Sequence, residues 1–119
     1  MTETEKKRTV YVAGNWDNGN NIMEFVDAIE LLRKKEFIPM SRVGLPTCFS
    51  WEDAKDIIAE MIMVCSSFCL LPGWEQSREA AYEYGIALAK GKQILMMEKL
   101  REQWKKGTIY ADGCKCDVR

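Results

Sequence analysis

Short apolar runs alternate along this chain with longer segments of helical periodicity, and this alternation limits the possible folds more than any other feature. The runs are largely apolar throughout instead of alternating with polar residues, as is typical of strands buried on both faces of a parallel sheet. They are TVYVAG (9–14), EFIPM (36–40), SFCLLP (67–72) and KQILMM (92–97). With right-handed crossovers, the pattern predicts a small doubly wound α/β domain, a Rossmann- or flavodoxin-like three-layer sandwich whose parallel sheet has four to five strands.

Three segments between these runs place apolar residues at helical spacing. The first begins at Asn21 and ends in the basic triplet RKK (33–35), where positive charge suits the helix dipole. The second opens with a capping box at Ser50 and covers residues 51–65, and the third covers residues 77–90. A short helix over KLREQWKKG (99–107) and a fifth strand over TIY (108–110) are also expected.

The length and charge of the chain restrict its class. At 119 residues it is expected to form one domain, with residues 1–8 and 111–119 as loose tails. Seventeen basic and eighteen acidic residues give a net charge of −1, which predicts no general affinity for nucleic acid or for membranes. The sequence lacks a signal peptide and any apolar run of about 20 residues, so a cytoplasmic location is expected.

The cysteines and glycines exclude several kinds of site. Five cysteines, an odd number, do not suggest a secreted disulfide framework, and Cys114 and Cys116 lack the histidines or second close pair that a zinc site needs. Neither a dinucleotide fingerprint nor a phosphate-binding P-loop occurs. We therefore expect no metal and no cofactor.

Three loops are predicted to meet at the carboxyl edge of the sheet, where open α/β sheets bind ligands. They are GNWDNGNN (14–21), SRVGLPTCFS (41–50) and GWEQS (73–77). The candidate binding residues in the first and third loops are Gly14, Asn15, Trp16, Asp17, Gly73 and Trp74. For Trp74, cover over the sheet edge and stacking on a ligand are both open interpretations.

The third predicted helix carries acidic residues, and two interpretations of them are open. Glu75, Glu79 and Glu83 form an acidic row at steps of four residues. Ser77 is placed to cap this helix, and Glu79 and Glu83 share one of its faces. Spacing alone favours a solvated face whose acids lie near the positive end of the helix dipole. The other interpretation is that one carboxylate enters the site and performs chemistry.

The stretches YVAG (11–14) and LLPGWEQSREAAYEYGIALAKGKQI (70–94) resemble the nucleoside 2-deoxyribosyltransferase-like superfamily. More narrowly, they resemble a phage- and prophage-associated branch with an LPGWE-x-S signature. The resemblance implies a five-stranded parallel sandwich, commonly a homo-oligomer, that exchanges or hydrolyses the base of a deoxynucleoside or deoxynucleotide. It also implies that Glu83 attacks the anomeric carbon, that Tyr11 hydrogen-bonds Glu83, and that Ser77 contacts the sugar or its 5′ substituent.

Two positions depart from the pattern that the resemblance implies. Glu79 stands where relatives carry a glycine, and a carboxylate there repels a 5′-phosphate unless it turns away. If Glu79 points inward, two acids one turn apart raise one pKa and supply a proton donor. The acid that relatives place on the second helix is replaced by Ala59, and Asp56, one turn earlier, is the candidate for its role.

The predicted function is cleavage or exchange of the N-glycosidic bond of a deoxyribonucleoside or related nucleotide. Glu83 is the expected nucleophile, with Asp56 and Tyr11 beside it, in the manner of a retaining glycosidase. The alternative is a non-catalytic protein that binds and sequesters or senses a small nucleotide. A scaffold with a decayed site is a third possibility.

Overall fold

The computed structural model describes residues 8–46 and 48–110, with residues 106–110 described by their backbone alone. Within these ranges the chain alternates strands and helices in the predicted order. The elements are β1 (Thr9–Ala13), α1 (Ile22–Lys34), β2 (Ile38–Met40), α2 (Trp51–Val64), β3 (Ser67–Leu70), α3 (Arg78–Ala89), β4 (Gln93–Met96) and α4 (Met97–Tyr110). None of the helices in this part of the chain has the length and hydropathy needed to cross a membrane.

The four strands form one parallel sheet in the order β2-β1-β3-β4, so β1 and β3 are central. Successive residues of β1 face opposite layers, as the pleat of a strand requires. Val10 and Val12 pack with α1 and α4 on one side, whereas Tyr11 and Ala13 pack with α2 and α3 on the other. This arrangement confirms the predicted doubly wound three-layer sandwich.

The predicted fifth strand is wrong, because residues 108–110 continue α4. Leu100 and Trp104 lie one helical turn apart and pack on the α1 side of the sheet. That contact favours a helix from Met97 onward, and the polar residues between them are good helix formers. Gly107 weakens a helix by about 1 kcal/mol relative to alanine but does not end it.

The chain ends are only partly described. Arg8 was expected to lie in a loose tail, yet its guanidinium donates hydrogen bonds to the carbonyl oxygens of Lys35 and Glu36. Residues 1–7 and 111–119 lie outside the described residues, and the Cys114/Cys116 pair is among them.

The local sequence signals at the starts of α2 and α3 are confirmed. Ser50 and Asp53 form the predicted capping box, with side-chain-to-backbone bonds in both directions. Ser77 caps α3 by accepting a hydrogen bond of 3.1 Å from the Ala80 amide. Both helix starts therefore lie at the carboxyl edge of the sheet, next to the loops that follow β1 and β2.

Candidate functional site

Two adjoining cavities open at the carboxyl edge of the sheet. The larger, about 310 Å³, has three aromatic walls and one ion pair, and its main lining residues are Trp16, Phe49, Trp51, Arg42 and Glu79. The smaller, about 230 Å³, is polar and is lined by Asn15, Asp17, Asn18, Ser77, Arg78 and Glu79. We call them the aromatic pocket and the polar cleft. They share the lining residues Asn18 and Glu79 and therefore adjoin near the start of α3, and we call the two together the recess.

Glu83 lies on the face of α3 that meets the sheet, one helical turn after Glu79, which lines the recess. Ala80, Glu83 and Ala87 are the buried residues of α3, and their spacing of three and four residues defines one helical stripe. Glu83 is only 3% exposed. The solvated interpretation is therefore wrong for Glu83. Of its neighbours in the acidic row, Glu79 is half-buried and Glu75 is exposed in the turn before the helix.

The surroundings of Glu83 favour its neutral form. Burial raises the pKa of its carboxyl to about 8, the charge of Glu79 adds to the rise, and Arg42 opposes it. Tyr11, which is 1% exposed, lies beside the Glu83 carboxyl, and the interaction of its hydroxyl with that carboxyl also lowers the pKa of Glu83. The pKa of Tyr11 is in turn raised well above its usual value by burial and by the nearby Glu83 charge. The buried Glu83 carboxyl on α3 and the buried Tyr11 phenol on the central strand β1 thus form a pair that is shielded from water.

Arg42 is the functional candidate that sequence reasoning missed. It follows β2, is 9% exposed, and donates from Nη1 to Oε1 of Glu79 at 2.6 Å. Its guanidinium carbon lies 5.1 Å from the Trp16 ring centre and 5.8 Å from that of Trp51. Arg42 is the single basic residue in the 41–50 loop, and this loop was expected at the ligand-binding edge. The presence of a single basic residue in this loop could have identified Arg42 as a candidate from the sequence alone.

The residues predicted in the first loop divide between the pocket and the core. Trp16 lines the aromatic pocket but also packs edge-on against Phe25 at 5.1 Å. Asn15 and Asp17 line the polar cleft. Gly14 has a packing role, because a Cβ there would lie 2.9 Å from the Cβ of Leu71. The structure therefore brings Asn15, Trp16 and Asp17 to the recess.

Gly73 and Trp74 do not line the recess. They border a separate cavity of about 80 Å³ between the ends of β3 and β4. The Trp74 ring packs against Tyr84 at 5.0 Å, and its buried indole N–H has no partner among the described residues. Gly73 adopts a φ of +87°, a left-handed conformation that suits glycine. The packing supports Trp74 as cover over the sheet edge.

Asp56 is also not brought to the recess. Ala54, Ile58 and Ile62 form the buried stripe of α2, and Asp56, two residues from the first two, is exposed. The helical phase of α2 directs this position to solvent, and Asp56 lines neither the aromatic pocket nor the polar cleft, so its role beside the sugar stays a prediction from the resemblance.

We expect Asp56→Asn to change ligand affinity and turnover by less than about twofold, as is usual for exposed positions. Titration calorimetry and initial-rate measurements would check this. A tenfold loss in either quantity would instead assign Asp56 to the site.

The comparisons with known proteins agree with this fold. The profile of a family described as a domain of unknown function (DUF4406) matches residues 8–96. Among solved structures, a 2-desoxiribosyltransferase from Leishmania mexicana superposes with a TM-score of 0.60 at 21% sequence identity, covering 75% of this chain. The match spans 63% of that chain, less than two thirds of its length, and at this identity it shows a shared fold. No curated protein matches the sequence.

Proposed function

We propose that this chain, which belongs to the DUF4406 family, cleaves or exchanges the N-glycosidic bond of a deoxyribonucleoside through Glu83. The observation that carries the proposal is the burial of the Glu83 carboxyl, at 3% exposure, next to Tyr11 and one helical turn from Glu79, which lines the recess. A buried ionisable group weakens the fold unless it is well paired, and strongly perturbed carboxyls concentrate at functional sites. The likeness to a 2-desoxiribosyltransferase supports the same chemistry at the level of the fold.

The shape of the recess supports a specific placement of the substrate. The base would stack on Trp16, Phe49 and Trp51 in the aromatic pocket, since flat heteroaromatic rings favour such walls. The sugar would occupy the polar cleft, where Asn15 and Ser77 can meet its hydroxyl groups. Both spaces are lined by Glu79, so the glycosidic bond would lie near Glu79, about one helical turn from the proposed nucleophile Glu83.

The proposed reaction has two displacements. The Glu83 carboxylate attacks the anomeric carbon, the bond from that carbon to the base nitrogen breaks, and its electron pair leaves with the base, which takes a proton from water. Water or a second base then attacks the same carbon and frees the carboxylate. Tyr11 orients the attacking oxygen by its hydrogen bond to Glu83. Water as the second nucleophile makes the protein a hydrolase, and a base makes it a transferase.

Glu79 bears on whether the substrate is phosphorylated. Its carboxylate lines both cavities and is 36% exposed. The polar cleft is lined by two acids, Asp17 and Glu79, and by one base, Arg78, so a 5′-phosphate there would meet a net negative charge. We therefore propose an unphosphorylated nucleoside as the preferred substrate.

One observation favours the non-catalytic alternative. Glu83 is not among the residues that line either cavity, whereas Glu79, one helical turn before it, lines both. A nucleoside could occupy both spaces without touching the buried carboxyl. Binding without base release would then be the whole activity.

A panel of nucleosides and their 5′-monophosphates would separate these functions. We expect free base, detected by chromatography, from at least one deoxyribonucleoside, with the corresponding monophosphate a poorer substrate. A thermal shift without free base for any member would support binding alone. Trp51→Leu should weaken binding, whereas Trp104→Leu, in the layer on the opposite side of the sheet, should not.

Association of copies of the chain is a further part of the proposal. Large apolar side chains are exposed on the outer faces of α2 and α3, namely Ile57, Met63, Val64, Tyr82 and Leu88. Burying them between copies would be favourable. A cytoplasmic location and an association with phage or prophage stay predictions from the sequence.

A further inference from the structure

We propose that Arg42 is a positioning residue that stabilises the carboxylate form of Glu83, the form that attack needs, against the effect of burial, and that Glu79 competes with Glu83 for the charge of Arg42. The proposal rests on the proposed function for its catalytic meaning. The electrostatic interaction among Arg42, Glu79 and Glu83 can be tested in the protein without substrate.

The position of Arg42 is tightly constrained. Its guanidinium is buried to 9% exposure, packs over the faces of Trp16 and Trp51, and makes a 2.6 Å bond to Glu79. A planar guanidinium suits this combination of stacking and hydrogen bonding, which the compact ammonium of lysine does not reproduce. Arg42 is thus a fixed positive charge at the base of the recess.

The helix places Glu83 within the field of that charge. Glu79 and Glu83 are four residues apart on α3 and therefore neighbours on its surface. The charge of Arg42, bonded to the first carboxylate, therefore acts on the second. The charged and titratable groups that face Glu83 are Tyr11 from β1, Arg42 from the turn after β2, and Glu79 from its own helix.

The two charged neighbours act on Glu83 in opposite directions. Arg42 lowers the pKa of the Glu83 carboxyl, and Glu79 raises it. The ion pair between them reduces what either does alone, because their charges cancel at a distance. Removing one partner exposes Glu83 to the other. Opposite responses to the two removals are therefore the signature of this arrangement.

Carboxyl titration by NMR tests the arrangement without any turnover. The protein would carry ¹³C-labelled glutamate carboxyls, and the Glu83 signal would be identified by its loss in Glu83→Gln. Relative to wild type, we expect the titration midpoint of Glu83 to rise by about one pH unit in Arg42→Met and to fall by a similar amount in Glu79→Gln. The double variant should lie between them. Glu102→Gln, on the exposed side of α4, is the matched control and should leave the midpoint in place.

Midpoints that stay unchanged, or that move in the same direction in both single variants, would overturn the proposal. If Arg42→Met does not fold, Arg42→Gln replaces it, and the direction of the Glu79→Gln shift alone still decides. A protein that releases no base but shows the opposite shifts would lose the proposed function and keep this inference. A protein that releases base but does not show these shifts would keep the proposed function and lose this inference. Where turnover occurs, the acid limb of its pH profile should follow the same order of variants.

Discussion

Glu83→Gln is expected to abolish base release, with a fall in kcat/KM of at least about 10³-fold, as is typical when a nucleophile is removed. The amide has nearly the shape of the carboxyl but cannot attack the anomeric carbon. Since Glu83 lines neither cavity, nucleoside binding should persist in the variant. Initial rates and titration calorimetry on the same preparation would separate the two effects.

A covalent intermediate provides a second measurement of the same prediction. Mixing wild-type protein with substrate and quenching in acid should leave a deoxyribosyl group on Glu83, detectable by mass spectrometry, and Glu83→Gln should show none. Glu102→Gln is the matched control, because its side chain is exposed on α4 and far in sequence from the recess. A Glu83→Gln protein with more than a tenth of wild-type turnover would remove Glu83 from the mechanism.

The free energy of unfolding of the wild-type protein is expected to fall as pH rises from about 4.5 to about 8, and Glu83→Gln should remove most of this fall. The pKa of Glu83 is raised from 4.5 to about 8 in the folded protein, chiefly by burial. Below pH 4.5 the group is neutral in both states, so the fold incurs no penalty. Above pH 8 the folded protein must hold a buried carboxylate, which costs up to about 5 kcal/mol at about 1.4 kcal/mol per pH unit.

Urea unfolding at pH 5 and at pH 8.5 would measure this difference. Wild type should lose several kcal/mol relative to Glu83→Gln between the two conditions, and the variant should be the more stable protein at pH 8.5. Other groups that titrate in this range contribute equally to both proteins, so the comparison isolates Glu83. Parallel pH dependences would show that the Glu83 carboxyl is not strained by its burial.

The two Glu83 predictions share one physical basis. A carboxyl that weakens the fold at working pH supports a functional role, because a neutral apolar residue on the same stripe would pack without that cost. Activity loss together with a stability gain at high pH is the pattern expected of a functional group held under strain. Stability loss at both pH values would instead indicate a structural role.

Local sequence patterns were sufficient to predict the elements and the layers of this protein. Apolar runs and helical spacing identified β1 to β4 and α1 to α3. The helix caps at Ser50 and Ser77 were predicted from the sequence and are present in the structure. The error over residues 108–110 arose because three apolar or β-branched residues suit a strand, while the helix that precedes them extends through them. Short-range rules predict elements well but not where a helix stops.

The candidate site was predictable only in part. The spacing of Ala80, Glu83 and Ala87 is that of a buried helical stripe and is visible in the sequence. The acidic row of Glu75, Glu79 and Glu83 instead suggested a single solvated face. The structure separates that row into an exposed turn residue, a pocket residue and a buried residue. Which face of α3 meets the sheet depends on the layer beneath it, and this contact decides the exposure of each carboxyl.

By itself, the sequence determined the order of strands and helices, their caps and the parallel sandwich that follows from them, because backbone hydrogen bonding and hydrophobic periodicity act over a few residues. Only the tertiary structure decided that Arg42 meets Glu79 across 37 positions, that Asp56 faces solvent, and that Trp74 packs on Tyr84 and borders a cavity separate from the recess. These contacts depend on how the crossover connections bring distant elements together at one edge of the sheet. The charged side chains at that edge interact strongly only after those elements have packed together.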